Sequence, residues 1–242
     1  MDNLSRLATL IANANHIAVL SGAGMSTESG IPDFRSANGL FTQNRSFADV
    51  VSIDYFYADP AGFWDAFREI FKLKLAGQYS PNAGHEFLAW LEEQGKRISV
   101  LTQNIDGLHH KAGSREVLEM HGTLMGATCL NCQTTHDLAY VQANPLPLCR
   151  ECDAALKPDV VLYGEAVPLI DPAFDLAVNA DLLLVMGSSL EVGPVNLIPV
   201  EAARAGVPCG LINLSDTRLD RFFDVIVQAG IGETCQQVKA LL

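Results

Sequence analysis

The sequence lacks the features of membrane-inserted, secreted and nucleic-acid-binding proteins. None of its apolar runs approaches the length of about eighteen residues that a membrane-spanning helix needs. Residues 1–20 have no basic n-region and no clear cleavage site, so we expect no signal peptide and a cytoplasmic location. Lysine and arginine number 16 against 28 aspartates and glutamates, a formal net charge of −12, and no basic stripe is present to neutralise phosphates. We therefore expect neither nucleic acid nor a membrane as a partner.

Charged residues are few, at 18%, whereas hydrophobic residues make up 49% of the chain. This balance indicates a packed globular core rather than disorder, and 242 residues suffice for one large domain with a small insert. Short apolar runs alternate with amphipathic segments, which favours an α/β fold with a parallel sheet. We predict strands at residues 16–20, 98–101, 181–186, 207–212 and 224–227.

Helices are predicted at residues 4–14, around the aromatic residues 63–71, from 80 to 94, and from 233 onwards. Ser80 is the expected N-cap of the third, with Pro81 in its first turn. The polar, glycine-rich segment 25–44 is expected to be a long ordered loop. Several strands end in small or polar residues, and because ligands bind at the carboxyl ends of parallel strands, we expect one polar site there.

The cysteines are few but specifically spaced. Cys129 and Cys132 form one C-x2-C pair, and Cys149 and Cys152 form a second. Two such pairs supply the four thiolates of a closed tetrahedral zinc site, which leaves no position for a substrate. We therefore predict a structural zinc ion, and we expect the remaining Cys209 and Cys235 to be free thiols.

The complete dinucleotide-binding glycine motif of the oxidoreductases is missing. Gly22-Ala23-Gly24 follows the first strand, but position 27 is threonine, and no strand ending in an acidic residue follows about twenty residues later. Taken alone, this half-motif fits either a phosphate-binding turn or a plain tight turn. A nicotinamide-dependent oxidoreductase is disfavoured, and a nucleic-acid-binding zinc ribbon is disfavoured by the scarcity of basic residues in 123–157.

Five ordered motifs give the chain a family resemblance from residue 16 to its last helix. The strings GAGMSTESGIPDFR (22–35), TQNIDGLH (102–109), EMHG (119–122), GSSLEV (187–192) and IN (212–213), with the four cysteines between them, resemble the sirtuins, NAD-dependent protein deacylases. Within that family the chain resembles the bacterial-type short-chain members. The resemblance implies a doubly wound, Rossmann-like sheet from residues 1–40, 77–122 and 158–242, a helical insert at 41–76, and a zinc-binding module at 123–157.

His121 is the candidate general base. It follows a short apolar stretch, and a histidine titrates near the pH at which a ribose hydroxyl would have to be deprotonated. His16, His85 and His136 are expected to be structural, while His109 and His110 fit a helix start or a ligand contact equally well. Asn104 and Asp106 could bind a ligand or merely cap the next helix.

The resemblance assigns further residues to the site. It implies that Asn104 acts with His121 in catalysis, that Phe34 and Arg35 cover the cofactor, and that residues 159–165 pair with an extended substrate peptide. The implied NAD-binding residues are Gly22, Ala23, Gly24, Thr27, Asp33, Phe34, Arg35, Gln103, Asn104, Ile105, Asp106, His121, Gly187, Ser188, Ser189, Asn213, Leu214 and Ile231. The implied peptide-binding residues are Val160, Val161, Tyr163, Gly164, Val192 and Gly193.

The implied reaction transfers the acyl group of an acyl-lysine to ADP-ribose. It yields free lysine, nicotinamide and O-acyl-ADP-ribose, so NAD is consumed while zinc stays outside the chemistry. Two variants of the reaction stay open, namely removal of long acyl chains and mono-ADP-ribosyl transfer. Removal of acidic acyl groups is disfavoured because residues 54–76 lack the Tyr-x-x-Arg pair of that subgroup. Tyr163 departs modestly from the family's usual phenylalanine or similar residue, which leaves the fine acyl preference open.

Overall fold

The computed structural model describes residues 2–33 and 47–242. Its larger sheet has six parallel strands in the order β3-β2-β1-β7-β8-β9. Strands β1, β2 and β7 are almost entirely buried, as expected of short apolar runs covered on both faces. The strands of this sheet are β1 (His16–Ser21), β2 (Arg97–Thr102), β3 (Glu116–Glu119), β7 (Leu182–Met186), β8 (Cys209–Ile212) and β9 (Val225–Val227).

The strand order reverses between β1 and β7. From β1 the chain proceeds to β2 and β3 on one side, and it later returns to β7 beside β1 and continues outward to β9. The carboxyl ends of β1 and β7 therefore border the crevice where open parallel sheets bind ligands.

Helices cover both faces of this sheet. The described α-helices are α1 (Asn3–Asn13), α2 (Phe47–Val50), α3 (Ile53–Ala58), α4 (Pro60–Ile70), α5 (Ala83–Glu93), α6 (Leu108–Ala112), α7 (Leu138–Ala143), α8 (Ile170–Val178), α9 (Ile198–Arg204) and α10 (Ile231–Lys239). Side chains of α1, α5 and α10 share one apolar core with the sheet, and those of α8 and α9 share the other. This arrangement confirms the predicted doubly wound architecture.

A smaller lobe is built from a three-stranded antiparallel sheet and the helices α2 to α4. Its strands, in the order β5-β4-β6, are β4 (Gly122–Cys129), β5 (Thr135–Asp137) and β6 (Leu156–Val160). Phe63, Trp64 and Phe67 of α4 are buried in one core with the sheet, and the Trp64 indole donates to the Leu156 carbonyl at 2.9 Å. The aromatic segment is therefore chiefly structural core.

Two local predictions were wrong. The N-cap of α5 is Asn82 rather than Ser80, because the Asn82 side chain accepts hydrogen bonds from the backbone N–H groups of Gly84 and His85. The first part of the predicted loop 25–44 is also not irregular, since residues Ala23–Ser29 form a 3-10 helix that ends at Gly30, where φ is +88°. In the described part of the chain, no helix is long and apolar enough to cross a membrane.

Candidate functional site

A cleft of about 780 Å³ opens between the carboxyl edge of the parallel sheet and the smaller lobe. Every described residue that the sequence assigned to NAD or peptide binding lines it. Seven separate stretches of chain supply them, namely the end of β6 and those that follow β1, β2, β3, β7, β8 and β9. Phe34 and Arg35 lie outside the described residues.

Three glycines bring the ends of β1 and β7 into contact at the floor of the cleft. A side-chain carbon on Gly22 or Gly24 would lie 2.8 Å from the Gly187 carbonyl oxygen, and one on Gly187 would lie 2.3 Å from the Met25 nitrogen. The Gly24 N–H donates to the Gly187 carbonyl at 2.9 Å. These glycines are thus needed for backbone packing at the crevice, in addition to any approach of a phosphate.

A buried serine connects the two polar residues that follow β2. The Ser26 hydroxyl donates to Asp106 Oδ2 at 2.7 Å, and it lies 3.1 Å from Asn104 Nδ2, which also donates to the Gly22 carbonyl at 3.0 Å. The other Asp106 oxygen accepts from the Leu108 N–H at 2.9 Å, whereas the N-cap residue of α6 is Gly107. Asp106 therefore lies in the cleft and also bonds to the first residue of α6.

His121 lies in the turn between β3 and β4 and faces the cleft. Its Nδ1 is 3.1 Å from the Gln103 carbonyl oxygen, which can only accept, so Nδ1 carries the hydrogen and donates it. Burial lowers the pKa of His121 below its usual 6.5, although the bond to that carbonyl opposes the shift. The imidazole is consequently neutral at pH 7, with a basic lone pair on Nε2.

The far end of the cleft carries hydroxyl and amide groups. Ser188 accepts from Gln103 Nε2 at 3.0 Å, and Asn213 donates from Nδ2 to the Ser215 carbonyl at 2.7 Å. Leu214 is exposed at the rim, and Ile231 begins α10, whose Gly232 N–H donates to Glu28 Oε1 at 3.0 Å. These groups offer a polar surface for a nucleotide beside an apolar rim.

The predicted substrate segment ends its regular strand early. β6 stops at Val160, and the Val161 N–H donates to the His121 carbonyl at 2.9 Å. Tyr163 pairs instead with the helical insert, donating to the Val51 carbonyl at 3.0 Å and accepting from the Ile53 N–H at 3.0 Å. The backbone N–H and carbonyl groups of Tyr163 are thus already hydrogen-bonded within the protein. Residues 159–165 therefore offer fewer backbone groups for pairing with a substrate peptide than the sequence suggested.

The sequence did not single out Ser26, and it left open which residues of the aromatic segment 47–76 line an apolar part of the cleft. Ile70, Phe71, Leu124 and Met125 line it, and they come from the helical insert and from β4. Ser26 stood inside the quoted string 22–35, but a serine in a loop has too many possible partners for its role to be assigned. Phe71 continues the helical spacing of the aromatic residues from Phe63. That spacing predicts an apolar helix face, but it does not show which of these side chains lie in the core and which line the cleft.

The four cysteines converge as predicted. Their sulfur atoms all lie within 4.8 Å of one another, with Cys129 Sγ 3.4 Å from Cys152 Sγ and Cys132 Sγ 3.4 Å from Cys149 Sγ. Four thiolates converging in this way match the tetrahedral set that zinc prefers. The Glu151 N–H lies 3.4 Å from Cys149 Sγ, a donor suited to the negative charge of a metal-bound thiolate.

The two C-x2-C turns have the same backbone structure. In the first, the Gln133 N–H donates to the Cys129 carbonyl at 2.9 Å and Gln133 has φ of +60°. In the second, the Asp153 N–H donates to the Cys149 carbonyl at 3.0 Å and Asp153 has φ of +56°. Because non-glycine residues rarely adopt this left-handed region, its repetition indicates two turns shaped to direct thiolates at one point.

The remaining histidines have structural environments. His16 Nε2 is 2.8 Å from Ser99 Oγ, and the His136 ring lies against Tyr140 with centroids 4.8 Å apart. His85 belongs to the cap of α5. His109 is buried within α6 with Nε2 2.9 Å from Ser21 Oγ, whereas His110 is exposed.

Comparison with known proteins identifies close relatives. Residues 22–194 match the family described as the Sir2 family. An NAD-dependent protein deacetylase of Chromobacterium violaceum is 66% identical over 237 residues, which cover 98% of this chain and 97% of that protein.

Solved structures of Sir2 proteins are also similar to this chain. A Sir2 structure with a deacetylated peptide and 3'-O-acetyl-ADP-ribose has a TM-score of 0.91 and 32% identity, covering 99% of this chain and 98% of the other. Another Sir2 structure, with a peptide and NAD+, has a TM-score of 0.83 and 33% identity, and the match covers 97% of this chain and 96% of that one. Both likenesses extend over nearly the whole of this chain.

Proposed function

This chain belongs to the Sir2 family, and we infer that it is an NAD-dependent protein-lysine deacetylase that uses His121 as its general base. The observation that carries the residue assignment is the neutral His121, whose Nδ1–H is bonded to Gln103 and whose Nε2 is left as a base in the same cleft as Asn104 and Asp106. The partners are acyl-lysine peptides or proteins, and the products are free lysine, nicotinamide and O-acyl-ADP-ribose.

Bound NAD would supply the ribose carbon that bonds to the acyl oxygen as the bond to nicotinamide breaks. A ribose hydroxyl would then bond to the acyl carbon, and one water molecule is consumed as the lysine amine leaves and O-acyl-ADP-ribose forms. His121 Nε2 accepts the proton of a ribose hydroxyl. Asp106 and Ile105 hold the carboxamide end of the cofactor, and Asn104 orients the ribose or a water. Ser26 supports this arrangement, since its hydrogen bonds fix both Asn104 and Asp106.

The two ends of the cleft have separate roles in this proposal. Gly22, Gly24, Ser188, Ser189, Asn213 and Leu214 bind the phosphates and adenosine, while residues 160–164 and Val192–Gly193 border the peptide. The zinc site fits a structural metal ion because its four thiolates fill the coordination sphere. We also propose a cytoplasmic location, which the free Cys209 and Cys235 support.

A matched pair of histidine variants tests the assignment. We expect His121→Ala to lower kcat for deacetylation of an acetyl-lysine peptide by about 10²–10⁴-fold, the usual contribution of a general base. His110→Ala removes an exposed ring and should keep nearly wild-type activity. Equal activity in the two variants would overturn the role of His121, whereas a folded wild type that releases no nicotinamide would overturn the deacetylase function.

A longer acyl chain is a second candidate substrate. The cleft extends to Ile70 and Phe71, an apolar wall that an acetyl group need not reach. Removal of an eight-carbon acyl group at a kcat/KM equal to or above that for acetyl would support it. A fall in kcat/KM with each added pair of carbons would restrict the enzyme to short chains.

A further inference from the structure

Lys157 is a charged residue in an unusual place, on strand β6 of the smaller lobe. Its side chain is only 12% exposed, and its partner Glu165 is 28% exposed. Lysine normally keeps its ammonium group in water, and removing that charge from water is costly unless it is paired and fully hydrogen-bonded. Such a residue calls for a specific reason.

All three hydrogens of the Lys157 ammonium group have acceptors. Nζ donates to Glu165 Oε2 at 2.9 Å, to the Val160 carbonyl at 2.8 Å and to the Pro158 carbonyl at 3.3 Å. The ammonium therefore joins the end of β6 to the segment that follows it, and it has no hydrogen left for another partner.

Glu165 closes the turn on the other side of this contact. Its Oε2 also accepts from the Leu162 N–H at 2.8 Å, and its own N–H donates to the Leu162 carbonyl at 3.0 Å. The turn 162–165 includes Tyr163 and Gly164, which line the cleft. One carboxylate oxygen thus fixes the turn and ties it to β6.

The same pair connects the cleft to the metal-bearing sheet. Lys157 lies opposite Thr128 in the register of β4 and β6, and the next pair along is Leu156 with Cys129. We propose that Lys157 and Glu165 are positioning residues that hold residues 160–165 in the conformation that binds the acyl-lysine peptide. This inference rests on the proposed function, since it assigns peptide binding to that segment.

The test separates peptide binding from nucleotide binding. We would measure the Kd of a fluorescein-labelled acetyl-lysine peptide by anisotropy without NAD, and the Kd of ADP-ribose by calorimetry. Lys157→Met and Glu165→Gln should each weaken peptide binding by about tenfold, because each leaves a partly buried charge without its partner. Binding of ADP-ribose should change by less than about twofold, since neither side chain contacts the nucleotide end.

Control variants identify the cause. Arg204→Met breaks the Arg204–Glu201 pair, whose side chains are 68% and 43% exposed, and should leave both Kd values unchanged. The double variant should bind peptide no more weakly than the worse single variant, because both act through one turn. Glu165→Gln retains an oxygen for the Leu162 N–H, so it decides the question even if Lys157→Met fails to fold.

Each result has a distinct meaning. Unchanged peptide Kd in zinc-loaded Glu165→Gln, or an equal loss of peptide and ADP-ribose binding, would overturn the positioning role alone. A wild type that binds ADP-ribose but no acetyl-lysine peptide would overturn the proposed function, and the inference with it. Selective loss of peptide binding in both single variants is the result we expect.

Discussion

At the scale of single residues, the protonation of His121 is set by its neighbours rather than by its identity. Its Nδ1 faces the Gln103 carbonyl at 3.1 Å, which requires hydrogen on Nδ1 and leaves Nε2 unprotonated in the neutral ring. Burial disfavours the imidazolium more than this hydrogen bond favours it. The neutral side chain therefore accepts a proton only at Nε2.

The pH dependence of the reaction follows from this environment. Because the pKa of His121 is lowered from 6.5, the base form persists to a pH below 6.5, and protonation removes activity only under more acidic conditions. We expect the acid limb of kcat/KM to have its midpoint below pH 6.5. A rate profile from pH 5 to 8 measures it, and a midpoint above pH 7 would contradict the assigned environment.

Ser26 offers a second test at this scale. Its hydroxyl contacts both Asp106 and Asn104, so Ser26→Ala removes one hydrogen bond from each of these two side chains. We expect kcat/KM to fall by about tenfold or more, which corresponds to roughly 1.4 kcal/mol. Ser80→Ala, at an exposed position, is the matched control, and equal activity of the two variants would show that the serine has no positioning role.

At the scale of elements, the zinc module depends on two repeated turns. Each places a residue of positive φ directly after its second cysteine, and each closes with a hydrogen bond back to the first cysteine. The metal joins these turns at one end of β4 and β6, and β6 leads directly into the cleft. Metal binding should therefore stabilise the peptide side of the site without taking part in the reaction.

Loss of one thiolate tests this dependence. We expect Cys129→Ser to lower the zinc content from about one ion per chain and to reduce the thermal stability of the protein, because structural zinc contributes directly to folding. Cys209→Ala removes a buried thiol outside the cluster and should retain its zinc. Metal analysis and thermal unfolding measure both effects, and full zinc content in Cys129→Ser would contradict the four-thiolate site.

The sequence predicted these elements unevenly. Strands β1, β2 and β7 are continuous apolar runs, so they were placed to within a residue or two. The cap of α5 was misplaced because Ser80 and Asn82 are both good capping residues, and only the three-dimensional contact with Gly84 and His85 distinguishes them. The shortened strand at Val160 depends on Val51 and Ile53, which are distant in sequence.

At the scale of the whole molecule, two buried histidines make stability sensitive to acid. Burial lowers the pKa of His85 to about 4 and that of His109 to about 3, whereas both have ordinary values of 6.5 when unfolded. Among the described residues, His85 Nε2 and His109 Nδ1 have no hydrogen-bond partner. The folded protein therefore keeps both rings neutral where the unfolded chain would bind protons.

Between pH 6.5 and about pH 4 the unfolded state binds more protons than the folded state, so the free energy of unfolding falls as the pH is lowered. Each histidine contributes about 1.4 kcal/mol per pH unit at most. His109→Gln should flatten this decline relative to wild type, as measured by urea unfolding at several pH values. The zinc site is the same in both proteins, so identical slopes would contradict the role of His109.

The convergence of the site was predictable only in part. Parallel topology places the residues after β1, β2, β3, β7 and β8 at one edge, and the quoted strings therefore identified Asn104, Asp106 and His121 together. The pattern could not show that Gly22 and Gly24 pack on Gly187, since that contact joins segments far apart in sequence. Tertiary contacts of this kind leave no local periodicity.

The most direct test of the account is to identify the products by mass. Wild-type protein would be incubated with NAD and an acetyl-lysine peptide, and the products would be quantified by mass spectrometry. We predict equal amounts of deacetylated peptide, nicotinamide and O-acetyl-ADP-ribose, none of them formed without NAD. Release of free acetate with NAD unconsumed, or ADP-ribose attached to the peptide in place of the ester, would contradict the proposed deacetylation.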